Sequence, residues 1–332
     1  MSGTGRSTIR AVVRRDGEVF LDRDRAAPAP APGEALVRPV LLTVGPSDLA
    51  VARGEIDHEG VLGQQFVGVV ESVGSVESAA GSDADGWVGA RVIADPTVVP
   101  ADSTLARQGL GRHDPDRTVM GVRARDGCFA DRFCVPIANL VRVPEGVSDG
   151  DAVLWKPLAS ALHASRVVPL DRRNYVTVIG DGVSGLLCAL IMAEQNQTVR
   201  LLSWTRDLSA VCERLGVRHR PAGEVGHRGD QDVVIDCVGA RDSVGAAMGM
   251  TRPRGSVVVK REPVPLPGGA PVPEASCDLG PLVLKELQVL GVRDGPPAEA
   301  MDRLTRGGLD LARLVASPFG RRFGFDDAIG AL

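Results

Sequence analysis

Residues 175–185 read Tyr-Val-Thr-Val-Ile-Gly-Asp-Gly-Val-Ser-Gly, a β-branched segment that runs into a Gly-x-Gly-x-x-Gly turn. The apolar run 186–193 follows with helical composition, and residues 198–203 give a second strand pattern. A strand, a glycine-rich turn, a helix and a second strand form the setting in which such a turn binds the pyrophosphate of a dinucleotide. The alternative is a purely structural strand-to-helix turn, which this setting disfavours.

Each glycine of the turn has a distinct physical role in that interpretation. Gly180 allows the tight turn, Gly182 lets the backbone approach a pyrophosphate, and Gly185 lets the next helix pack against the strand. Val183 and Ser184 open that helix, whose N-terminus faces the phosphates. These five residues are therefore predicted to bind the cofactor.

The pattern from residue 175 to residue 292 alternates strands with helices, which predicts an α/β fold with a doubly wound parallel sheet, the Rossmann arrangement. Residues before 150 contain short apolar or alternating runs separated by proline and glycine, so this region is predicted to be β-rich. A chain of 332 residues exceeds what one hydrophobic core usually supports, which favours two domains. The predicted strands are 175–180, 198–203, 232–237, 255–260 and 287–292, and the predicted helices between them are 186–195, 207–215, 242–250 and 280–285.

Composition narrows the class of partner. The chain has 38 basic and 42 acidic residues, a net charge of −4 and no block of like charge, so small molecules are expected rather than nucleic acid. No apolar run approaches the ~20 residues of a membrane span, and the first ten residues lack the apolar core of a secretory signal. We therefore expect no membrane partner and a cytoplasmic location. The six cysteines show no Cys-x-x-Cys spacing, so most are expected to be buried in a reducing compartment.

Several further motifs occur in order along the chain. They are Gly45-Pro-Ser-Asp48, Leu62-Gly-Gln-Gln-Phe-Val-Gly-Val-Val70, Asp126-Gly-Cys-Phe-Ala-Asp-Arg-Phe-Cys-Val-Pro136 and Trp155-Lys-Pro-Leu-Ala-Ser-Ala-Leu162, followed by the glycine turn. With these motifs the chain resembles the medium-chain dehydrogenase/reductase superfamily, of the zinc alcohol dehydrogenase type. The resemblance implies a GroES-like β-rich catalytic domain of residues 1–150 and 294–332, a Rossmann dinucleotide-binding domain of residues 151–293, and a substrate cleft between them. Members of this family are commonly dimers or tetramers, and a homodimer is expected here.

The chain departs from this family at the ligands of the catalytic zinc. Zinc-dependent members begin the first motif with a cysteine, have Gly-His-Glu in the second, and have Glu or Cys before Pro-Leu in the third. This chain has Gly45, Gln64, Gln65 and Lys156 at those places. Glycine offers no ligand, an amide is a poor zinc donor, and an ammonium repels a divalent cation. No catalytic zinc is therefore expected.

The structural zinc lobe of the family is also altered. Many members have four cysteines at the positions that this chain fills with Pro100, Ser103, Ala106 and Asp114, none of which is a thiolate. The loop of residues 96–118 would then depend on packing and hydrogen bonds alone. We expect it to be mobile or rebuilt.

Without zinc, another group must stabilise the charge that develops on a substrate oxygen. Lys156 is the natural candidate, as an electrophile or proton donor; the alternative is that it points to solvent or pairs with Asp48. Gln64 and Gln65 would position substrate or simply fill the vacated site. Ser47 stands where family members have a hydroxyl that relays a proton, although a turn or capping role is equally open. Asp48 is expected to support this candidate catalytic set structurally.

Cofactor preference depends on the end of the second Rossmann strand. Ser203, Thr205 and Arg206 offer hydroxyls and a cation suited to the 2′-phosphate of NADP, which is favoured over NAD. Asp207 keeps NAD open, although at that offset a capping role suits it better. By resemblance, the segment Cys237, Val238 and Gly239 contacts the nicotinamide half.

Together these features predict a zinc-independent NAD(P)-dependent oxidoreductase that transfers hydride to or from a small carbonyl, alcohol or activated C=C substrate. Two alternatives remain open, because a fold alone does not determine function. One is a protein that uses bound nucleotide for a binding or partner role. The other is chemistry without net redox change, such as epimerisation through a ketone.

Overall fold

The N-terminal half of the chain is built from short strands, as its alternating apolar residues predict. The computed structural model describes residues 8–75, 85–168, 174–195, 197–204, 207–226, 228–239, 241–260, 278–316 and 319–332. In this half the elements are β1 (Thr8–Arg15), β2 (Glu18–Ala26), β3 (Glu34–Thr43), α1 (Pro46–Ala52), β4 (Gly60–Val61), β5 (Gln65–Val73), β6 (Arg91–Ala94), β7 (Thr97–Val98), α2 (Thr104–Arg107), β8 (Thr118–Val119), β9 (Phe133–Pro136) and β10 (Leu140–Arg142).

These strands form two main antiparallel sheets, and their buried apolar residues form a larger and a smaller cluster. The first sheet has the order β2-β1-β4 and the second the order β10-β6-β5-β3-β9. Phe66 and Phe133 meet edge to face in the core, with ring centroids 4.7 Å apart. The candidate catalytic residues of this half lie next to these packed strands: the motif of residues 45–48 follows the end of β3, and Gln64 and Gln65 lie at the start of β5.

The second half contains the alternating pattern of strands and helices. Its elements are α3 (Asp149–Ala152), α4 (Trp155–Val167), β11 (Tyr175–Ile179), α5 (Val183–Glu194), β12 (Thr198–Ser203), α6 (Ser209–Arg214), β13 (Arg218–Pro221), β14 (Gln231–Asp236), α7 (Arg241–Met250), β15 (Thr251–Val259), α8 (Gly280–Leu284), β16 (Gln288–Gly291), α9 (Pro297–Thr305) and α10 (Leu311–Ala316). Short 3₁₀ helices lie at Asp85–Trp87, Gly111–His113, Ile137–Asn139, Ala222–Glu224 and Phe325–Ala331. None of the helices in these described segments is long and apolar enough to cross a membrane.

The six strands of this half form one parallel sheet in the order β13-β12-β11-β14-β15-β16. The chain runs outward from β11 on one side and returns to β14 on the other, so the strand order reverses between these two neighbours. This confirms the predicted α/β fold with a doubly wound sheet. In such sheets the crevice at the carboxyl ends of the strands, beside the reversal, is the ligand site.

One strand of this sheet was not among those predicted. β13 has the sequence Arg-His-Arg-Pro and lies at the edge of the sheet, where its residues are largely exposed. An edge strand pairs on one side only and is often polar, so it lacks the apolar run that reveals a central strand. The α5 helix shows the opposite behaviour: residues 185–192 are all buried, because it packs between the sheet and α4.

The loop of residues 96–118 is rebuilt around hydrogen bonds. β7 and β8 pair across its base, and α2 and a 3₁₀ turn lie between them. Ser103 Oγ donates a hydrogen bond to the carboxylate of Asp114, and both residues are buried. Ser103 Oγ also accepts from the Ala106 amide at 3.0 Å. The Pro100 carbonyl accepts from the Ser103 amide at 3.1 Å, so all four positions at which the family resemblance places cysteines take part in this hydrogen-bonded loop.

Candidate functional site

The two halves of the chain meet at Lys156 and Gln64. Lys156 lies in the first turn of α4, and Gln64 directly precedes β5. Lys156 Nζ donates to Gln64 Oε1 at 2.8 Å, and the lysine side chain is only 11% exposed. A largely buried ammonium is therefore held by an amide from the other half of the molecule.

Asp294 provides a carboxylate beside the same ammonium. Its Oδ2 lies 3.8 Å from Lys156 Nζ. The segment is pressed against α4 because Gly295 has no side chain: a Cβ there would overlap the carbonyl oxygen of Ala159. Ser160 Oγ, one turn beyond Lys156, also donates to the Arg293 carbonyl at 2.8 Å. Nothing in the local sequence around residue 294 pointed to this position, since its partner is remote along the chain.

The first motif surrounds Gln65. A Cβ on Gly45 would lie 2.9 Å from Gln65 Nε2, so the glutamine amide fills the space that a larger residue at position 45 would need. Asp48 Oδ2 accepts from the Gly45 amide at 2.7 Å, which caps the start of α1, and Ser47 is buried on the same helix. Among the described residues, the buried Gln65 Oε1 has no hydrogen-bond partner. This oxygen is an acceptor that a ligand donor can satisfy.

The donor set at these positions does not fit zinc. Gln64 already accepts from an ammonium, Gln65 packs against Gly45, and the remaining position is the ammonium itself. Zinc requires thiolate, imidazole or carboxylate donors in a tetrahedral arrangement. Within the described ranges, no three His, Cys, Asp or Glu side chains come together as a metal site would need.

Cys128 lies beside this region in the core of the first half. It is fully buried, and burial together with the nearby Asp48 carboxylate raises the pKa of its thiol well above the ordinary value. The thiol therefore stays protonated at neutral pH. Cys134 is partly buried, and burial raises the pKa of its thiol to about 11.

The glycine turn has the shape that a pyrophosphate needs. Gly180 has φ of +138°, a conformation that side chains disfavour, and a Cβ on Gly185 would overlap the Gly180 carbonyl oxygen. Gly182 differs from both, because a Cβ there would meet nothing within 4 Å. Gly182 is the N-cap of α5 and provides no side-chain cap, so the first amides of this helix receive no hydrogen bond from the cap residue and can serve a phosphate.

The loop after β14 lies against this turn. A Cβ on Gly180 would approach Cys237 Cβ to 3.1 Å. The buried Asp236 carboxylate accepts from the Val238 amide at 2.9 Å and the Gly239 amide at 3.0 Å, and from Ser243 Oγ at 2.8 Å. Asp236 thereby fixes the segment predicted to contact the nicotinamide, a role that its place at the end of an apolar strand could have signalled.

The end of β12 carries the last of the predicted cofactor residues. Ser203 is buried, and its Oγ lies 2.6 Å from His219 Nε2. Thr205 and Arg206 lie outside the described residues. The structure therefore brings the glycine turn, Ser203 and the 237–239 segment to one edge of the sheet, while Lys156, Gln64 and Gln65 lie where the two halves of the chain meet.

Comparison with known proteins agrees with this architecture. The alcohol dehydrogenase GroES-like domain family matches residues 31–145. The starvation-sensing protein RspB of Escherichia coli K12 is 31% identical over 173 residues, which cover 51% of this chain and 49% of RspB, so the match spans about half of that relative. An uncharacterized zinc-type alcohol dehydrogenase-like protein of Haemophilus influenzae is 23% identical over 322 residues, 92% of this chain and 90% of that protein.

Two solved structures extend the likeness to nearly the whole chain. A proposed zinc-binding dehydrogenase from Sinorhizobium meliloti 1021, bound to NADP, has a TM-score of 0.77 at 25% identity, with 94% of each chain covered. RspB from Escherichia coli CFT073, in complex with NADH, has a TM-score of 0.78 at 20% identity, with 91% of this chain and 89% of that chain covered. Both of those proteins hold a nicotinamide nucleotide.

Proposed function

Because the chain belongs to the medium-chain dehydrogenase/reductase superfamily, we propose that it transfers hydride between a nicotinamide cofactor and a small carbonyl, alcohol or activated C=C substrate. We further propose that it does so without zinc, with Lys156 in the electrophilic role. The glycine turn supports the cofactor half of this proposal, since its open face and strained glycines suit a pyrophosphate.

The observation that carries the proposal is the contact between Lys156 Nζ and Gln64 Oε1 at 2.8 Å. It holds a largely buried cation between residues that are 92 positions apart in the chain, where solvent screening is reduced. A nicotinamide, when bound, supplies or accepts the hydride. Lys156 Nζ would donate a hydrogen bond, and then a proton, to the substrate oxygen on which charge develops.

The neighbours of Lys156 have complementary roles in this proposal. Gln64 Oε1 orients the ammonium, and the Asp294 carboxylate, 3.8 Å away, balances its charge. Gln65 Oε1 offers an acceptor to a donor group of the substrate. Ser47 and Asp48 would act from α1, Ser47 as a hydroxyl relay and Asp48 as the cap that fixes the helix. Because an ammonium is a proton donor, reduction of a carbonyl or activated alkene is the favoured direction.

We also propose NADP(H) as the preferred nucleotide and a homodimer as the assembly. Ser203 ends β12 with a hydroxyl where NAD-binding sites usually have a carboxylate that holds the ribose 2′-hydroxyl. A carboxylate there would repel a 2′-phosphate, whereas a hydroxyl can donate to it.

The proposal is tested by nucleotide binding and single-turnover reduction on the same metal-analysed sample. NADPH and NADH are titrated separately by calorimetry, and NADPH oxidation is then followed with a panel of ketones, aldehydes and enones. Stoichiometric oxidation by metal-free protein supports a zinc-independent reductase. Activity that requires added zinc would overturn the zinc-independent part, and failure to bind either nucleotide would overturn the whole.

The same experiment separates the other two readings of the sequence. Nucleotide binding with no turnover of any substrate would favour a binding or partner role. Product formation without net change in cofactor absorbance would favour epimerisation through a transient ketone. Where product forms, its loss in the Lys156→Met variant would show that product formation depends on the ammonium.

A further inference from the structure

Three arginines lie near one another although they come from both halves of the chain. They are Arg117, Arg123 and Arg293. Arg117 is partly buried, whereas Arg123 and Arg293 are exposed. Burial first, and then the charges of Arg293 and Arg123, lower the pKa of the Arg117 guanidinium. The three cations are therefore close enough to repel one another.

In the described part of the chain, none of these cations forms an ion pair with a carboxylate. Arg117 Nη1 donates to the carbonyl of Asp114 at 2.8 Å, and Arg123 Nη2 donates to the carbonyl of Pro115 at 2.6 Å. The Asp114 carboxylate acts on Arg117 less than either neighbouring arginine does. The buried Nε of Arg117 has no acceptor among the same residues. The cluster thus has an excess of positive charge and of N–H donors, which an anion can satisfy.

The exposed member of the cluster, Arg293, lies next to one partner of Lys156. It directly precedes Asp294, whose carboxylate lies 3.8 Å from Lys156 Nζ. Its carbonyl accepts from Ser160 Oγ on α4, the helix that carries the lysine. The position of the Arg293 backbone is therefore fixed relative to the candidate proton donor.

The turn of residues 119–123, which ends at the second arginine, lies next to the other partner of Lys156. The amide and carbonyl at its two ends are joined by hydrogen bonds of 2.9 Å. Gly121 in this turn has φ of +64°, and a Cβ there would overlap the amide of Gly63. The turn therefore packs directly against the residue that precedes Gln64, and Gln64 Oε1 accepts from Lys156 Nζ.

We propose that the substrate has an anionic group, a carboxylate or a phosphate, which this arginine cluster binds while the substrate carbonyl oxygen accepts from Lys156. The inference rests on the proposed reductase function and names its substrate class, a keto acid, an enone acid or a phosphorylated ketone. A guanidinium presents two parallel N–H donors to such a group, which an ammonium cannot do. Arg293 would make the main contact because it is exposed, and Arg117 and Arg123 would add attraction for the anion.

Binding the anionic group would also orient the reacting carbonyl. The arginines hold one end of the substrate and Lys156 the other, so the carbonyl would be placed before hydride transfer. The distance between the two groups of the substrate then decides which member of a homologous series reacts fastest. Pyruvate, acetoacetate and levulinate place the ketone at increasing distance from the carboxylate, and they are the probes for this distance.

The test compares each anionic probe with its neutral counterpart. The methyl esters of the three acids keep the same ketone, and dihydroxyacetone is the neutral counterpart of dihydroxyacetone phosphate. With NADPH, we expect kcat/KM to be about 10- to 100-fold higher for the anionic member of at least one pair. In Arg293→Met this preference should fall to less than about threefold, while kcat/KM for the neutral member changes by less than about threefold.

Two further variants keep the test decisive. Arg117→Lys keeps the positive charge but not the planar fork, and it should weaken the preference without abolishing it. Arg23→Met is the matched control: its side chain is 60% exposed and pairs with Asp326, and its loss should leave the preference unchanged. Equal kcat/KM within every pair in the wild type would overturn the inference, as would a preference that survives in Arg293→Met.

Nucleotide binding separates the remaining outcomes. If Arg293→Met lowers NADPH affinity and leaves the preference for anionic substrates unchanged, the arginines serve the cofactor and the inference is overturned. If the wild type reduces neither member of any pair and none of the ketones, aldehydes and enones named above, the proposed function itself fails. That result differs from equal rates within the pairs, which would overturn only the assignment of an anionic substrate.

Discussion

Ser103 and Asp114 are joined by a hydrogen bond at two of the positions where the family resemblance implies cysteines. The Asp114 carboxylate also accepts from the Asp116 amide at 2.8 Å. Both donors, Ser103 first, lower the pKa of this carboxyl. The loop of residues 96–118 is therefore cross-linked by a hydrogen bond between a hydroxyl and a carboxylate, which joins two places where a bound metal ion would otherwise join them.

Loss of the Ser103 hydroxyl should loosen this loop without unfolding the protein. In Ser103→Ala we expect amide hydrogen exchange within residues 96–118 to accelerate by about tenfold, because the buried carboxylate loses its closest donor. Exchange in the six-stranded sheet should not change. A chelator such as EDTA should leave the amide exchange rates of the wild type unaltered. If EDTA accelerated exchange as much as the substitution does, the loop would depend on a metal ion and not on the hydrogen bond between Ser103 and Asp114.

The hydrogen bond between Ser103 and Asp114 also predicts that the free energy of unfolding depends on pH in the acid range. The pKa of Asp114 is lowered in the folded protein, so its contribution to stability is complete above the ordinary carboxyl value of 3.8 and is lost as the pH falls through the lowered value. The stability difference between wild type and Asp114→Asn, measured by urea unfolding, should therefore shrink as the pH is taken from 6 to 3. Asp116→Asn, which keeps the backbone donor, is the control and should show no such trend.

Lys156 should be required for turnover and dispensable for nucleotide binding. Lys156→Met removes the proton donor, and we expect kcat to fall by about 10²- to 10⁴-fold while the Kd for the nucleotide changes by less than about threefold. Lys156→Arg keeps the charge and should retain more activity than the methionine variant. Equal kcat in all three proteins would remove Lys156 from the chemistry.

The glycine turn offers a matched pair of substitutions. Gly185→Ala places a methyl group against the Gly180 carbonyl and should lower both the melting temperature and the nucleotide affinity. Gly182 has φ of −96°, and a Cβ there would meet nothing within 4 Å, so the melting temperature of Gly182→Ala should be unchanged. Its NADPH affinity should fall by at least about tenfold, because the added methyl group would occupy the space that the pyrophosphate needs. Normal NADPH affinity in Gly182→Ala would mean that the open face of this turn is not where the pyrophosphate binds.

The sequence was most informative where the signal is local. The turn at Gly180 and the strands beside it could be predicted because a motif of a few residues determines both the backbone conformation and the packing of the next helix. β13 was missed because an edge strand does not need an apolar pattern. Asp294 and Arg117 were missed for a different reason: each acquires its role from partners on other elements, and such long-range contacts leave no mark in a single sequence.

Gly295 has a mechanical consequence for Lys156. Because a Cβ at position 295 would overlap the Ala159 carbonyl oxygen, the segment carrying Asp294 packs directly against the helix carrying Lys156. Gln64, in contrast, directly precedes β5 in the first half of the chain. A displacement of the Gln64 segment relative to α4 would therefore lengthen the Lys156 contact with Gln64 and leave the one with Asp294 in place. The distance between Lys156 Nζ and Gln64 Oε1 would then report how the two segments lie relative to each other, while the distance to Asp294 Oδ2 would stay the same.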